Sequence, residues 1–178
     1  MDFQKNYLAS VKFEFQRYKT MGDKTFAQIT DVDIHWKYTD SDNSIALIVK
    51  HMVGNLLSRW TNFLTEDGEK SWRERDMEFE EPFLTKTEMI SAWEKGWNCL
   101  FGALSNIDSS NFKNKIKIRG EDHTIIEAIN RQLAHYANHV GQIVFVGKMI
   151  KGKDWDSLSI PKGASKAFNK KTFGTGRP

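Results

Sequence analysis

Four segments of this chain repeat apolar residues with the 3.6-residue period of buried helices, and this pattern constrains the fold more than any other feature. It predicts helices at about residues 2–28, 44–64, 87–106 and 124–151. Thr87 is the predicted N-cap of the third helix, and Thr124 with Glu127 matches a capping box at the start of the fourth. The connections suit antiparallel neighbours, so we expect an all-α fold, an up-and-down four-helix bundle.

The segments between and after these helices lack that period. Residues 65–84 are polar and rich in helix breakers, which predicts a long loop between helices 2 and 3, either a lid over a site or an ion-paired surface loop. Residues 111–122 favour a short extended segment or a hairpin with a turn at Gly120 and Glu121, and we expect a connector rather than a sheet. The tail, 153–178, is predicted to be irregular. A length of 178 residues suits a single domain, 1–178.

The charge and the cysteine content limit which binding partners and which cellular compartment we expect for this protein. The net charge is only +3, and we find no basic face interleaved with aromatic residues, so no nucleic-acid partner is expected. The chain shows no export signal and no apolar run of about 18 residues, so no membrane partner is expected either. Cys99 is the lone cysteine and reads as a core residue, which agrees with a cytoplasmic protein.

Two histidines in the fourth helix have the spacing of a chelating pair. His135 and His139 are one helical turn apart, which places their Cβ atoms about 5–6 Å from each other on one face. Such a pair also arises by chance, but the apolar flanks predict burial, and buried imidazoles need partners. His51 on the second helix is the natural third ligand. His35 and His123 lie at predicted connections, without a partner at ligand spacing.

Longer motifs around these histidines resemble a known family. The segment GNLLSRW follows Lys50 and His51, and HYANHVGQI covers residues 135–143; both resemble the DinB/YfiT-like superfamily. The segments KHMVGNLLSRWTNFLTEDGEKSWRERDMEFE and WDSLSIPKGASKAFN resemble one uncharacterised bacillus-type branch of it, a domain of unknown function. The resemblance implies a four-helix bundle with a three-histidine metal site, to which His51, His135 and His139 correspond.

The resemblance also implies several activities. Relatives include transferases and isomerases that use bacillithiol, mycothiol or glutathione, and others are described as metal-dependent hydrolases. We therefore expect a divalent metal ion (Zn, Ni, Fe or Mn), a small-molecule substrate and a low-molecular-weight thiol, with thiol-dependent transfer as the first hypothesis. Metal-dependent hydrolysis is the second. The third is a bundle that binds metal or a small ligand without turnover, or a homodimer whose site is vestigial.

Three polar residues are candidates for a pocket beside the metal. Asn55 and Arg59 follow His51 by four and eight positions, so Asn55 can line the same cavity and Arg59 can bind a substrate carboxylate. The alternative is that Asn55 makes only helix contacts and Arg59 is solvated. Gln142 shares the face of His135 and His139, where it either bonds a water on the metal or caps the core. No catalytic residue is assigned.

Overall fold

The computed structural model describes residues 2–80 and 82–174, which are mostly helical with one small two-stranded sheet. The helices are α1 (Phe3–Phe26), α2 (Ile45–Trp60), α3 (Met77–Glu80), α4 (Lys86–Ser105), α5 (Ile125–Lys151) and α6 (Ser165–Phe173). The strands are β1 (Lys115–Ile118) and β2 (Glu121–Thr124), and short 3₁₀ turns cover Asp33–His35 and Gly152–Asp154. The four long helices predicted from periodicity are confirmed. No described helix has the length and apolarity needed to cross a membrane.

The helix ends follow local side-chain chemistry. The Thr124 and Glu127 side chains form the predicted capping box at the start of α5. The prediction of Thr87 as an N-cap was wrong: α4 begins one residue earlier than expected, and the Thr85 hydroxyl accepts from the Glu88 N–H. Helix α2 ends at Trp60 rather than near residue 64, because the chain then turns through Asn62 with a φ of 51°.

Each long helix packs against two others, and their apolar faces enclose one core. Helix α2 contacts α4 and α5, and α1 contacts α5 and α4. The centre is aromatic, with Phe15 fully buried against the rings of Trp60, Trp97 and Tyr136. The Tyr136 hydroxyl accepts from Trp60 Nε1 at 3.0 Å and donates to Asn55 Oδ1 at 2.9 Å. These bonds fix the register of α2 against α5, the two helices that carry the candidate ligands.

Two connecting segments are more ordered than the sequence predicted, and the third, residues 111–122, forms a two-stranded sheet where a connector was expected. The 65–84 segment contains α3, and the tail contains α6, where nine residues without proline or glycine end at Gly174 with a φ of 65°. In the hairpin, Ile118 pairs with Glu121, which leaves Arg119 and Gly120 as the two turn residues. Both have positive φ, as a type I′ turn requires, so the turn lies one position before the predicted one.

Candidate metal centre

The three predicted histidines lie together where α2 meets α5. His51 projects from α2, and His135 and His139 project from successive turns of α5; all three side chains are partly buried. His135 Nε2 lies 3.4 Å from His51 Nε2 and 3.1 Å from His139 Nε2. One nitrogen from each ring lies within 4.8 Å of the others, so the cluster can hold a metal ion.

A buried carboxylate holds the outer nitrogen of His51. His51 Nδ1 lies 2.9 Å from Glu78 Oε2, and an ionised carboxylate only accepts, so this nitrogen carries the proton. Arg73 donates to both oxygens of Glu78, from Nε at 2.8 Å and from Nη2 at 3.0 Å. Burial opposes ionisation of Glu78, but the bonds from His51 and Arg73 outweigh it and hold its pKa below the usual value. His51 is thereby fixed with its Nε2 lone pair facing inward.

The Nδ1 atoms of the two histidines of α5, which face away from the cluster, have different surroundings. His139 Nδ1 donates to Gln142 Oε1 at 3.0 Å, an i, i+3 contact on the same helix. His135 Nδ1 is buried and has no hydrogen-bond partner within residues 2–80 and 82–174. Burial lowers the pKa of His135 to about 3, with the charges on its neighbours adding to the effect, and burial also lowers the pKa of His139. Both rings are therefore neutral near pH 7, which is the form that binds metals.

The inner nitrogens fit a cation better than they fit each other. Because the Nδ1 atoms of His51 and His139 carry protons, both Nε2 atoms present lone pairs toward His135 Nε2. A proton on His135 Nε2 can satisfy one of these lone pairs but not both. Nitrogen lone pairs that converge at 3.1 and 3.4 Å are the donor set of a divalent transition metal.

The 65–84 segment supplies residues of the site that sequence reasoning did not identify. Its short helix α3 places Glu78 against His51, and the Phe79 ring stacks on the His51 imidazole with centroids 4.9 Å apart. The sequence predicts this segment to be a lid or an ion-paired surface loop, but the Arg73 side chain within it is only 1% exposed. No spacing rule connects positions 73 and 78 to position 51, so only the folded chain reveals this assignment.

Gly54 makes room for Glu78, and this close approach gives a test. A Cβ at position 54 would overlap the Glu78 carboxylate and lie 2.8 Å from its Cδ. We expect Gly54→Ala to displace Glu78 from His51 and to weaken metal affinity about 10-fold or more, the usual effect of losing an outer partner of a ligand. Competition with a chromophoric chelator measures this affinity.

Gly102→Ala is the matched control for that variant. Gly102 also lies within a long helix, but nothing lies within 4 Å of an added Cβ, so its metal affinity should match that of the wild type. Equal affinities in Gly54→Ala and Gly102→Ala would show that the Glu78 contact does not support the site.

Two of the three candidate pocket residues line one cavity, and the third does not. A cavity of about 340 Å³ lies beside His51 and His135, and Asn55 and Arg59 both line it. Asn55 is also bonded by Tyr136, and Arg59 is buried rather than solvated. Gln142 does not line this cavity, and its Oε1 is engaged by His139. Sequence reasoning missed Gln132, which also lines the cavity and whose buried Oε1 has no hydrogen-bond partner among the described residues.

The remaining histidines and the cysteine lie outside the cluster. His35 Nε2 contacts the Leu84 carbonyl oxygen, and His123 pairs with Ile116 in the hairpin. Cys99 is partly buried on α4, where its sulfur lies 3.5 Å from the Thr61 hydroxyl. None of these three belongs to the described metal-ligand group.

Comparison with known proteins gives a family without an assigned activity. No significant match was found among curated proteins, and none among solved structures. A family model described as "Protein of unknown function (DUF1572)" matches residues 2–164, which includes all three histidines and the segment that holds Glu78 and Arg73. Because this match covers most of the chain, the protein belongs to the DUF1572 family.

Proposed function

We propose that the protein binds one divalent metal ion through His51, His135 and His139 and uses it in a thiol-dependent transfer reaction on a small molecule. The observation that carries the proposal is the convergence of three Nε2 atoms, two of them fixed in the metal-binding tautomer by Glu78 and Gln142. Imidazole ligands suit Zn, Ni, Fe or Mn.

We also infer that the chain is a DinB/YfiT-like four-helix bundle. The support is the cyclic order of contacts, in which α1 packs on α5, α5 on α2, α2 on α4 and α4 on α1. A ring of four mutually packed long helices is the arrangement of a bundle, and bundle sites are built from side chains on facing helices. The motifs around His51 and the HYANHVGQI segment add the resemblance.

The surroundings of the histidines favour thiol transfer over hydrolysis. A bound divalent cation supplies a Lewis acid that lowers the pKa of a thiol or of water. Hydrolysis needs a group that accepts a proton from water, but no Asp or Glu lines the cavity within the described chain, and Glu78 is held by Arg73 and His51. A thiol is far more acidic than water, so a cation can make it lose its proton to the solvent without a positioned base, and the polar wall of the cavity can bind its carboxylates.

Cobalt substitution tests the thiol part of this proposal without knowledge of the final acceptor. Cobalt(II)-loaded wild type is titrated with glutathione and with bacillithiol, and a thiolate-to-cobalt charge-transfer band is expected in the near ultraviolet. His139→Ala should lose the band, while His123→Ala, which alters a histidine outside the cluster, should keep it. A protein that binds cobalt but shows no band at saturating thiol would contradict thiol use and leave hydrolysis or ligand binding without turnover.

A further inference from the structure

Four arginines from four different segments line the cavity beside His51 and His135. Arg59 comes from α2, Arg75 from the segment before α3, Arg119 from the hairpin turn and Arg131 from α5. The cavity volume of about 340 Å³ is in the range of pockets for small molecules. The wall next to the candidate metal centre is therefore strongly basic.

Arg59 is the buried member of this group, and its charge is not neutralised by a direct contact. The residue is 3% exposed, and its Nε and Nη1 atoms have no hydrogen-bond partner within residues 2–80 and 82–174. Burial lowers its pKa and outweighs the opposing effects of Tyr136 and Glu69, neither of which bonds the guanidinium. Buried guanidinium groups are normally paired, so an unpaired Arg59 in the wall of a cavity indicates a ligand that accepts from this group.

The backbone around Arg59 is arranged to hold it in place. A Cβ at Gly68 would overlap Arg59 Nη1 and lie 2.9 Å from its Cδ, so the glycine allows the close approach. Ser58 ties this segment to α2, donating to the Gly68 carbonyl at 2.9 Å and accepting from the Lys70 N–H at 3.2 Å. The guanidinium is thus positioned by the fold and does not depend on a carboxylate partner.

The acidic residues nearby do not balance the four arginines. Glu69 is shared between Arg75 and Arg119, with nitrogen–oxygen distances of 3.2 Å to each Nε. Asp67 accepts from the backbone N–H groups of Arg119 and Gly120 in the hairpin turn. Arg131 has no hydrogen bond or ion pair with any residue that the structure describes. Four guanidinium groups face two carboxylates, which leaves about two positive charges for a ligand.

We propose that this cavity binds the doubly negative part of the substrate, a phosphate group or a pair of carboxylates, with Arg59 at its base and Arg131 at its rim. Guanidinium groups bind both kinds of oxyanion through paired N–H donors. His51 and His135 line the same cavity, so the other end of the molecule lies against the metal centre. The inference deepens the proposed function and rests on it for the reaction, but anion binding itself does not require the metal.

Calorimetric titration with inorganic phosphate and with succinate tests the inference, and the two probes separate the two sources of negative charge. Both are titrated into the zinc-loaded full chain and into chelator-treated protein at low ionic strength, where charge interactions are least screened. We expect at least one probe to bind in both forms. Tighter phosphate binding identifies a phosphate ester, and tighter succinate binding identifies a dicarboxylate; either supports the inference.

Arginine variants then locate the site. Arg59→Met should weaken binding at least tenfold, and Arg131→Met several-fold, while Arg17→Met, on the exposed face of α1, should bind like the wild type. Arg131 is exposed, so its variant keeps the test valid if Arg59→Met does not fold. The inference is wrong if the wild type binds neither probe, or if folded Arg59→Met and Arg131→Met bind as tightly as Arg17→Met.

Elemental analysis of the same samples separates this inference from the proposed function. Metal bound without anion binding overturns the inference alone. Anion binding that depends on Arg59, in a protein that takes up no metal, would overturn the proposed metal centre and leave the anion site standing.

Discussion

Replacing His135 with alanine is expected to abolish stoichiometric metal binding, and His51→Ala should have the same effect. Each change removes one of three converging Nε2 donors, and we expect affinity to fall by more than the 10–100-fold that is typical of losing an outer partner. The measurement is elemental analysis of protein purified without a metal-affinity tag. Wild type should carry about one equivalent, and the variants should carry almost none.

Thermal unfolding gives an independent readout of the same prediction. Metal that binds only the folded state stabilises it by about 2.7 kcal/mol at a free concentration 100 times the Kd. For a chain of this size that corresponds to a rise in Tm of roughly 5–10 °C. The rise should occur in wild type and in His123→Ala, whose histidine lies outside the cluster, and not in His135→Ala. Equally low metal content in wild type, His51→Ala, His135→Ala and His123→Ala would contradict the proposed metal centre.

Arg73→Met should destabilise the metal-free protein by about 3 kcal/mol, near the lower end of the range for breaking a buried ion pair. The Arg73 side chain is 1% exposed and that of Glu78 is 7% exposed, so the carboxylate left behind is buried. The Glu78 carboxylate keeps its contact with His51, so we expect a loss of stability near the lower end of that range. Urea unfolding in the presence of a chelator measures the loss without a contribution from metal.

Arg17→Met is the matched control for that measurement. Arg17 pairs with Glu14 on the surface of α1, with 52% and 32% of the two side chains exposed. Exposed pairs contribute only about 0–1 kcal/mol, so the control should unfold close to wild type. Arg73→Met should also lose metal affinity, because Glu78 loses the two bonds from Arg73 that orient it toward His51. An Arg73→Met protein as stable as Arg17→Met would show that the pair is not a structural support of the site.

The helical parts of the fold were predictable because their causes are local. Periodic apolar residues define the long helices, and the Thr124 and Glu127 capping box specifies where α5 begins. Local signals were insufficient at the start of α4, where two threonines that can both serve as an N-cap, Thr85 and Thr87, lie two residues apart. They also failed for α3 and α6, because short polar helices carry too little periodicity to separate them from loops.

The candidate site was likewise predictable only in part, as its three histidines show. Helical spacing alone brings His135 and His139 to one face, so the sequence determines that pair, and the family resemblance joins His51 to it. Only the tertiary structure brings Nε2 of His51 within 3.4 Å of His135.

The outer partner of His51 and the unpartnered guanidinium of Arg59 were likewise decided by the tertiary structure alone. Glu78 is 27 residues from His51 in the chain, and no periodicity relates positions at that distance. The burial of Arg59 depends on how the 65–76 segment folds over α2. Such contacts arise from packing between elements, and a single sequence records each element but not the way they pack.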